Sequence, residues 1–376
     1  MKILFFTTWA LLFLYSVFIL LGGKIIPFGR MFIYEYKDEE VYPGGLYAMC
    51  KIDEFKQTET DYEKCRPDKN EELSSRPRFQ IYEQRQSYSD APKDLEGSDI
   101  LMFGDSFLAG VRGLKIFIDK GGGVDTLKAY NASADGIAAA GENPLECLAR
   151  VKYQKGGKKF LILETVERSS LDRGLRCADY QKYFDLKIFQ QAIKYIFIND
   201  HIAYFFTDNI ISHPLLRFIN NTKFHYFKDI DTRIALYSEN PNMLFYFQAV
   251  EFNKTPKAAE DLDMMARNIK FLSDQLEREY NIVLIYVILP NKYSIYSDFV
   301  EPDYVYDNFI PDINNRLIEK GVKVINIYTE YMTYRSNDDS KLLYFPSDTH
   351  YSPLGQDIFF NEIVGVITEL NCTFDD

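Results

Sequence analysis

Two short stretches of this chain hold the residue types for acyl transfer. Gly104-Asp105-Ser106-Phe107 offers a serine, and Asp348-Thr349-His350-Tyr351-Ser352-Pro353-Leu354-Gly355 offers an imidazole with a carboxylate two residues before it. A serine hydroxyl is a poor nucleophile at neutral pH. It needs a histidine to take its proton and an acid to hold that histidine in the useful tautomer. Ser106, His350 and Asp348 are therefore the candidate catalytic residues. The chain has 4 histidines. His201, His213 and His225 lie in an aromatic-rich stretch with no carboxylate at a useful spacing, and read as packing or surface residues. No grouping of His, Cys, Asp and Glu suggests a metal site, and no cofactor is implied.

Such groups need a frame, and the hydrophobic pattern supplies one. Residues 98–103 form a short apolar run, and Phe107, Leu108, Val111, Leu114, Ile116 and Phe117 after it can line one face of a helix. Ser106 would then sit at a strand-to-helix turn, where unbonded N–H groups steady a developing oxyanion. Taken alone, Asp105-Ser106 reads more readily as an ordinary helix cap. Further strands are expected at residues 124–130, ending in Asn131-Ala132-Ser133-Ala134-Asp135-Gly136, at 159–163, at 282–289 and at 322–327. A helix over 258–280, with Leu262, Met265, Ile269, Leu272 and Leu276 on one face, packs on the sheet. Alternating strands and helices imply an α/β fold with a mostly parallel sheet, whose ligands bind beyond the carboxyl ends of the strands. Ser106, Gly136, residues 164–168 and 290–293 all fall there. Asp348 has its own structural alternative, as the cap of the helix containing Ile358, Phe359, Phe360, Ile363 and Val364.

Gly-Asp-Ser-Phe, Asn-Ala-Ser-x-x-Gly and Asp-x-His, in this order over about residues 97–370, resemble the SGNH/GDSL hydrolase superfamily. Asp348-Thr349-His350-Tyr351, Pro290-Asn291-Lys292-Tyr293-Ser294-Ile295-Tyr296 and Glu164-Thr165-Val166-Glu167-Arg168 are more similar to the branch containing the alginate O-acetyltransferase proteins of the bacterial periplasm. The resemblance implies an SGNH-like three-layer sandwich and an O-acetyltransferase that works through an acyl-serine on a cell-surface or exported polysaccharide. By analogy with the alginate system, a multi-spanning membrane acyltransferase would deliver the acetyl donor. An esterase with water as acceptor shares the chemistry, and a non-catalytic carbohydrate-binding assembly protein shares the fold. The superfamily's esterases carry a Gly-x-Asn-Asp block whose asparagine donates to the oxyanion, and this chain has no such sequence. Gly136, through a closely approaching backbone N–H, and Arg168, through its guanidinium, are the substitutes expected. An ion pair of Arg168 with Glu164 or Glu167 is the alternative. Lys292 and Tyr351, inside the matching blocks, complete the oxyanion and substrate-binding candidates.

Charge and topography bound the remaining possibilities. A net charge of −12 and a pI near 5.0 argue against a nucleic-acid partner. Residues 3–21 carry no charge and are long enough for a bilayer-spanning helix, with no Ala-x-Ala-like cleavage site after them. The expected organisation is an N-terminal transmembrane anchor at residues 1–23, a membrane-proximal stalk or small subdomain at 24–97, and a catalytic domain at 98–376 facing the periplasm or another extracytoplasmic space. An aromatic-rich insertion at about 169–256 reads as a helical lid on the sheet, with a sugar-stacking surface as the functional alternative. Cys50 and Cys65 bound a short polar segment and suggest a disulfide. Cys147, Cys177 and Cys372 cannot be paired from sequence.

Overall fold

The computed structural model of the protein describes residues 45–56, 59–65, 80–81, 100–104, 107, 133–138, 144–150, 153–157, 159–177 and 212–372. The strongest apolar run, Ile-Val-Leu-Ile-Tyr-Val-Ile-Leu, is a central strand buried on both faces, as its composition requires. In chain order the strands are β1 (Gln80–Ile81), β2 (Ile100–Phe103), β3 (Ser133–Ala138), β4 (Lys159–Val166), β5 (Ile234–Glu239), β6 (Asn242–Tyr246), β7 (Ile282–Leu289) and β8 (Lys323–Ile325). Six of them make one sheet in the order β1-β3-β2-β4-β7-β8, with every neighbouring pair parallel. The mostly parallel α/β fold is as expected.

Alternate residues of the strands feed the two faces. Leu101, Phe103, Leu161, Leu284, Tyr286 and Ile288 share one core cluster with Leu262, Met265, Ile269 and Leu272 of the helix Ala259–Gln275 and with Phe309, Ile313 and Leu317 of the helix Phe309–Glu319. Ile100, Met102, Ile162, Ile285 and Val287 are equally buried outside that cluster, and the helices Ile327–Asn337 and Pro353–Cys372 pack against β7 and β8. The turn into β7 is made by Asn281, at φ 58°, a left-handed conformation that asparagine tolerates.

Several boundaries differ from the sequence reading, each for a local reason. The strand expected at 124–130 lies outside the described residues, and the strand in that part of the chain is β3. Gly136 is therefore within a strand rather than in the turn beyond one. Its neighbourhood is irregular: Ile100 pairs with Ala134 but Met102 with Ile137, so β3 carries one extra residue there. A glycine inside a strand commonly marks such a bulge. The last strand is shorter than 322–327, because Asn326 accepts a hydrogen bond from the Thr329 N–H at 3.5 Å and Ile327 opens a helix. The insertion is not wholly helical. Residues 234–246 form the antiparallel hairpin β5–β6 and lead into the helix Phe247–Lys254. Burial of Met243, Leu244 and Phe245, and a bond from the Leu244 N–H to the Pro346 carbonyl at 2.9 Å, favour the extended form there. The aromatic stretches at 195–197 and 204–206, like the anchor candidate at 3–21, lie outside the described residues. No described helix is long and apolar enough to cross a membrane.

The chain divides into two compact units. In one, Tyr47–Lys56 packs on the helix Ser212–Phe227: the Phe55 and Phe224 rings meet edge to face at 5.2 Å, Asn220 Nδ2 donates to the Cys50 carbonyl at 2.7 Å, and Arg217 pairs with Asp53. His225 lies on the exposed side of this helix against Tyr226, as a surface histidine would. The other unit contains the sheet. Parts of the segment at 24–97 belong to it, since Gln80–Ile81 is its edge strand and Gly44–Leu46 is included too. The Cys50–Cys65 bridge is not formed. Both are buried free thiols in different units, each directed at a backbone carbonyl, of Tyr47 at 3.7 Å and of Tyr344 at 3.9 Å. Burial pushes the Cys50 thiol up to about 11 and Cys65 higher still, as for small apolar core residues.

Candidate active site

The parallel sheet sends the ends of β2, β4 and β7 to one edge, where Phe107, Arg168, Asn291 and the Asp348–His350 pair come together. His350 and Asp348 sit on a loop between the helices Ile327–Asn337 and Pro353–Cys372. His350 Nδ1 is 2.8 Å from Asp348 Oδ1. The carboxylate also accepts from the backbone N–H of Thr349 at 2.5 Å and of His350 at 3.3 Å, and it is 3% exposed. A buried carboxylate fixed by main-chain donors fixes in turn the imidazole it holds. With Nδ1–H given to Asp348, the lone pair resides on Nε2, as a general base requires. Asp348 is not the cap of the following helix. Ser352 does that, its Oγ accepting from the Gly355 N–H at 3.2 Å, with Pro353 in the first turn.

The loop is closed on itself and tied from several sides. Phe345 N–H donates to His350 O at 3.2 Å, Ser352 N–H to Leu343 O at 2.8 Å, and Tyr344 and Tyr351 form a bridge. Its outward groups meet Leu46 N–H at Ser347 O (3.1 Å) and Leu244 N–H at Pro346 O (2.9 Å). From the segment read as a stalk, Lys64 O accepts from Leu342 N–H and Cys65 O from Leu354 N–H, at 2.9 and 3.0 Å. Gly355 has no room for a Cβ, which would lie 2.3 Å from Leu343 O. That close approach is why the Asp-x-His segment ends in a glycine.

Lys292 follows the end of β7 and enters the loop from behind. It is 4% exposed, and its Nζ donates to the carbonyls of Phe345, Pro346 and Asp348 at 3.1, 2.9 and 2.6 Å. All three ammonium protons are thereby used on the loop, so Lys292 is not the substrate-binding residue expected of it. Burial holds it well below its ordinary 10.5, to about 7, against the opposing charge of Asp348. Tyr351 is also a tie, not a substrate contact: it is buried, and its hydroxyl donates to the Phe107 carbonyl at 2.7 Å.

Ser106 lies outside the described residues, but Phe107, the next residue in the chain, is described and buried. Its ring centroid is 4.8 Å from that of His350 and 5.3 Å from that of Tyr351. Arg168, just beyond β4, stands by the same ring: its guanidinium carbon is 6.0 Å from the Phe107 centroid and 5.6 Å from that of Tyr246, and Nη1 reaches Asn291 Oδ1 at 3.5 Å. Gly136 is a backbone candidate in the β3 bulge.

Glu167 was foreseen only as a partner for Arg168, and its carboxylate has a larger part. It is fully buried and accepts from the Asn291 N–H at 2.7 Å, Tyr306 Oη at 2.8 Å, Asn253 Nδ2 at 3.5 Å and the Ser294 hydroxyl. Asn291 Nδ2 closes the network onto Asn253 Oδ1 at 2.8 Å. Burial raises the Glu167 pKa in spite of these donors. Asn253, Ser294 and Tyr306 carry no sequence signal for this, since one buried acceptor draws them from three separate elements.

A paired Asp-x-His at the strand ends, packed on the residue after a Gly-Asp-Ser, is the geometry on which the comparison with known families turns. Residues 244–372 match the SGNH hydrolase-like domain of the acetyltransferase AlgX. This is the branch whose Asp-x-His and Pro-Asn-Lys blocks the chain resembles, and the AlgX-like segment contains both blocks together with β7 and β8. The match supports an enzyme of the acyltransferase or esterase type. No curated protein and no solved structure matches the chain.

Proposed function

We propose that the protein is an O-acetyltransferase that carries an acetyl group through Ser106 onto hydroxyls of a cell-surface or exported polysaccharide. The observation that carries this reading is the Phe107 contact. The residue covalently next to Ser106 packs, with its ring tilted by 46°, against the imidazole that Asp348 orients, and consecutive Cα atoms are about 3.8 Å apart. In the mechanism, His350 Nε2 takes the Ser106 proton as Oγ attacks the acetyl carbonyl of a donor ester. The donor's C–O bond breaks, its alcohol leaves with that proton, and Asp348 stabilises the transient imidazolium. A sugar hydroxyl then attacks the acetyl-serine, giving its proton to His350, which returns it to Ser106. The Gly136 N–H and Arg168 are the proposed donors to the two tetrahedral oxyanions.

Transfer has to outrun hydrolysis by water at about 55 M, so a sugar at millimolar concentration must gain roughly 10⁴-fold through positioning, within the range that bound, oriented reactants supply. Residues 232–256 of the insertion, which belong to the unit of the sheet and place Tyr246 beside Arg168, are the proposed acceptor platform and water shield. Residues 3–21 would anchor the enzyme with its catalytic unit outside the cytoplasm, next to a membrane acyltransferase that supplies acetyl groups.

Purified protein incubated with a small acetyl ester and a panel of glycan oligomers tests this reading. Acetylated sugar should be found by mass spectrometry, and Ser106→Ala and His350→Ala should each lose activity by several orders of magnitude. Acetate release with no acetylated sugar across the panel would make the protein an esterase, and turnover retained in Ser106→Ala would remove the acyl-serine altogether.

A further inference from the structure

Three carbonyl oxygens converge on one point behind the catalytic loop, and that point is occupied by Lys292 Nζ. Carbonyl dipoles aimed at a common centre repel each other. In a buried setting of low effective dielectric that repulsion is felt more strongly than in water, and only a cation or several donors at the centre can reverse it. An ammonium group is the one side-chain terminus with three protons in a tetrahedral fan; glutamine brings two, a hydroxyl one, and arginine's planar fork suits parallel acceptors. The carbonyls belong to Phe345, Pro346 and Asp348, so the third is on the main chain of the residue whose carboxylate orients His350.

Building on the acyl-transfer reading above, we infer that Lys292 is a positioning residue whose three-pronged grip on the Phe345–Asp348 turn holds the Asp348–His350 pair in its working direction. The grip is conditional on charge. A neutral amine keeps two protons for three carbonyls and turns a lone pair toward the remaining one. The groups that face this ammonium are the three carbonyls, the Asp348 carboxylate, the Cys65 thiol and the Phe245 ring, whose centroid is 5.7 Å away. Burial brings the loss of its proton near neutrality, so the grip loosens on the alkaline side, where an imidazole base would otherwise be fully active.

The test is steady-state hydrolysis of a chromogenic acetyl ester by the full chain, from about pH 5.5 to about pH 9.5, for the wild type, Lys292→Met, Lys292→Gln and Ser106→Ala. Lys292→Met should lower kcat about 100-fold or more with KM within about threefold, as for a catalytic group displaced by about 1 Å, and Lys292→Gln should fall between it and the wild type. Wild-type kcat should decline above about pH 7 to 8, and the residual rate of Lys292→Met should show no such decline. A Lys292→Met kcat within about threefold of wild type, or a wild-type kcat that stays level to the alkaline end, overturns the inference. Should Lys292→Met not fold, the wild-type profile decides alone. An inactive Ser106→Ala beside a fully active Lys292→Met refutes this inference and leaves the acyl-serine standing, whereas an active Ser106→Ala refutes the reading on which it rests.

Discussion

Glu167 and Lys292 are two buried ionisable residues, one acid and one base, beyond the ends of adjacent strands, and they are satisfied in different ways. Glu167 is surrounded by donors that mostly sit on side chains: two hydroxyls, one amide and one main-chain N–H. Lys292 faces three main-chain carbonyls. A hydroxyl can turn round and accept where it had donated, so the Glu167 site survives protonation of its carboxyl with modest loss. A carbonyl has no such freedom. The same burial that raises the one pKa and lowers the other is therefore tolerable at Glu167 and disruptive at Lys292. Asn291 and Lys292 are consecutive, so Glu167, the residue just after β4, holds one residue of the turn after β7 while the next residue holds the histidine loop.

The comparison is broken most directly at Glu167. Glu167→Ala strands several buried donors at once and should cost about 3–5 kcal/mol in chemical denaturation. Glu167→Gln keeps the shape and part of the bonding, should cost about 1–2 kcal/mol, and should leave kcat within a few-fold. If Glu167→Gln lowered kcat about 100-fold, as Lys292→Met is expected to, the distinction between rearrangeable and fixed partners would fail.

pH sharpens it further, because the two sites tilt stability in opposite directions. The folded state holds the Glu167 proton more tightly than the unfolded state does, so above about pH 4.3 its contribution to stability falls as pH rises toward the folded-state pKa. Lys292 is the reverse: between about 7 and its ordinary 10.5 the unfolded chain binds the extra proton, and stability from this group rises with pH. Unfolding free energies of the wild type minus those of Glu167→Gln and of Lys292→Met should thus slope in opposite senses over the two windows, by at most about 1.4 kcal/mol per pH unit. For Lys292 the gain in stability accompanies the loss of activity, a divergence that a purely structural lysine would not give.

The smallest expected effect is at the tie between the two candidate catalytic stretches. Tyr351→Phe removes the bond to the Phe107 carbonyl and should cost about 1 kcal/mol, with kcat lowered and the thermal midpoint shifted by only a few degrees. An unchanged kcat would show that ring packing of Phe107 on His350 is enough to keep the stretches together.

Sequence made the sheet legible where a strand is long and apolar throughout, as at 282–289, and made the Asp-x-His pair legible because its spacing is local. What it hid was long-range. Lys292 lies in the Pro290–Tyr296 block that resembles the acetyltransferase branch and so reads as a substrate ligand, and only the convergence of Phe345, Pro346 and Asp348 on it shows why it is buried. The hairpin β5–β6 was masked by an aromatic composition that suits a helix face as well as a strand, and tertiary pairing decided between them. Cys50 and Cys65 are close in sequence, and each is placed by its own packing, which proximity along the chain does not report.

The Tyr351–Phe107 bond spans 244 residues. At about 5–20 residues per second, that separation is roughly 12–50 s of synthesis. Throughout it the growing chain holds the proposed nucleophile without the base that would arm it, and contacts this distant in sequence are late to close. A chain that stops anywhere short of residue 350 carries Ser106 without His350, so on the proposed mechanism it is chemically silent until nearly all of it has been made.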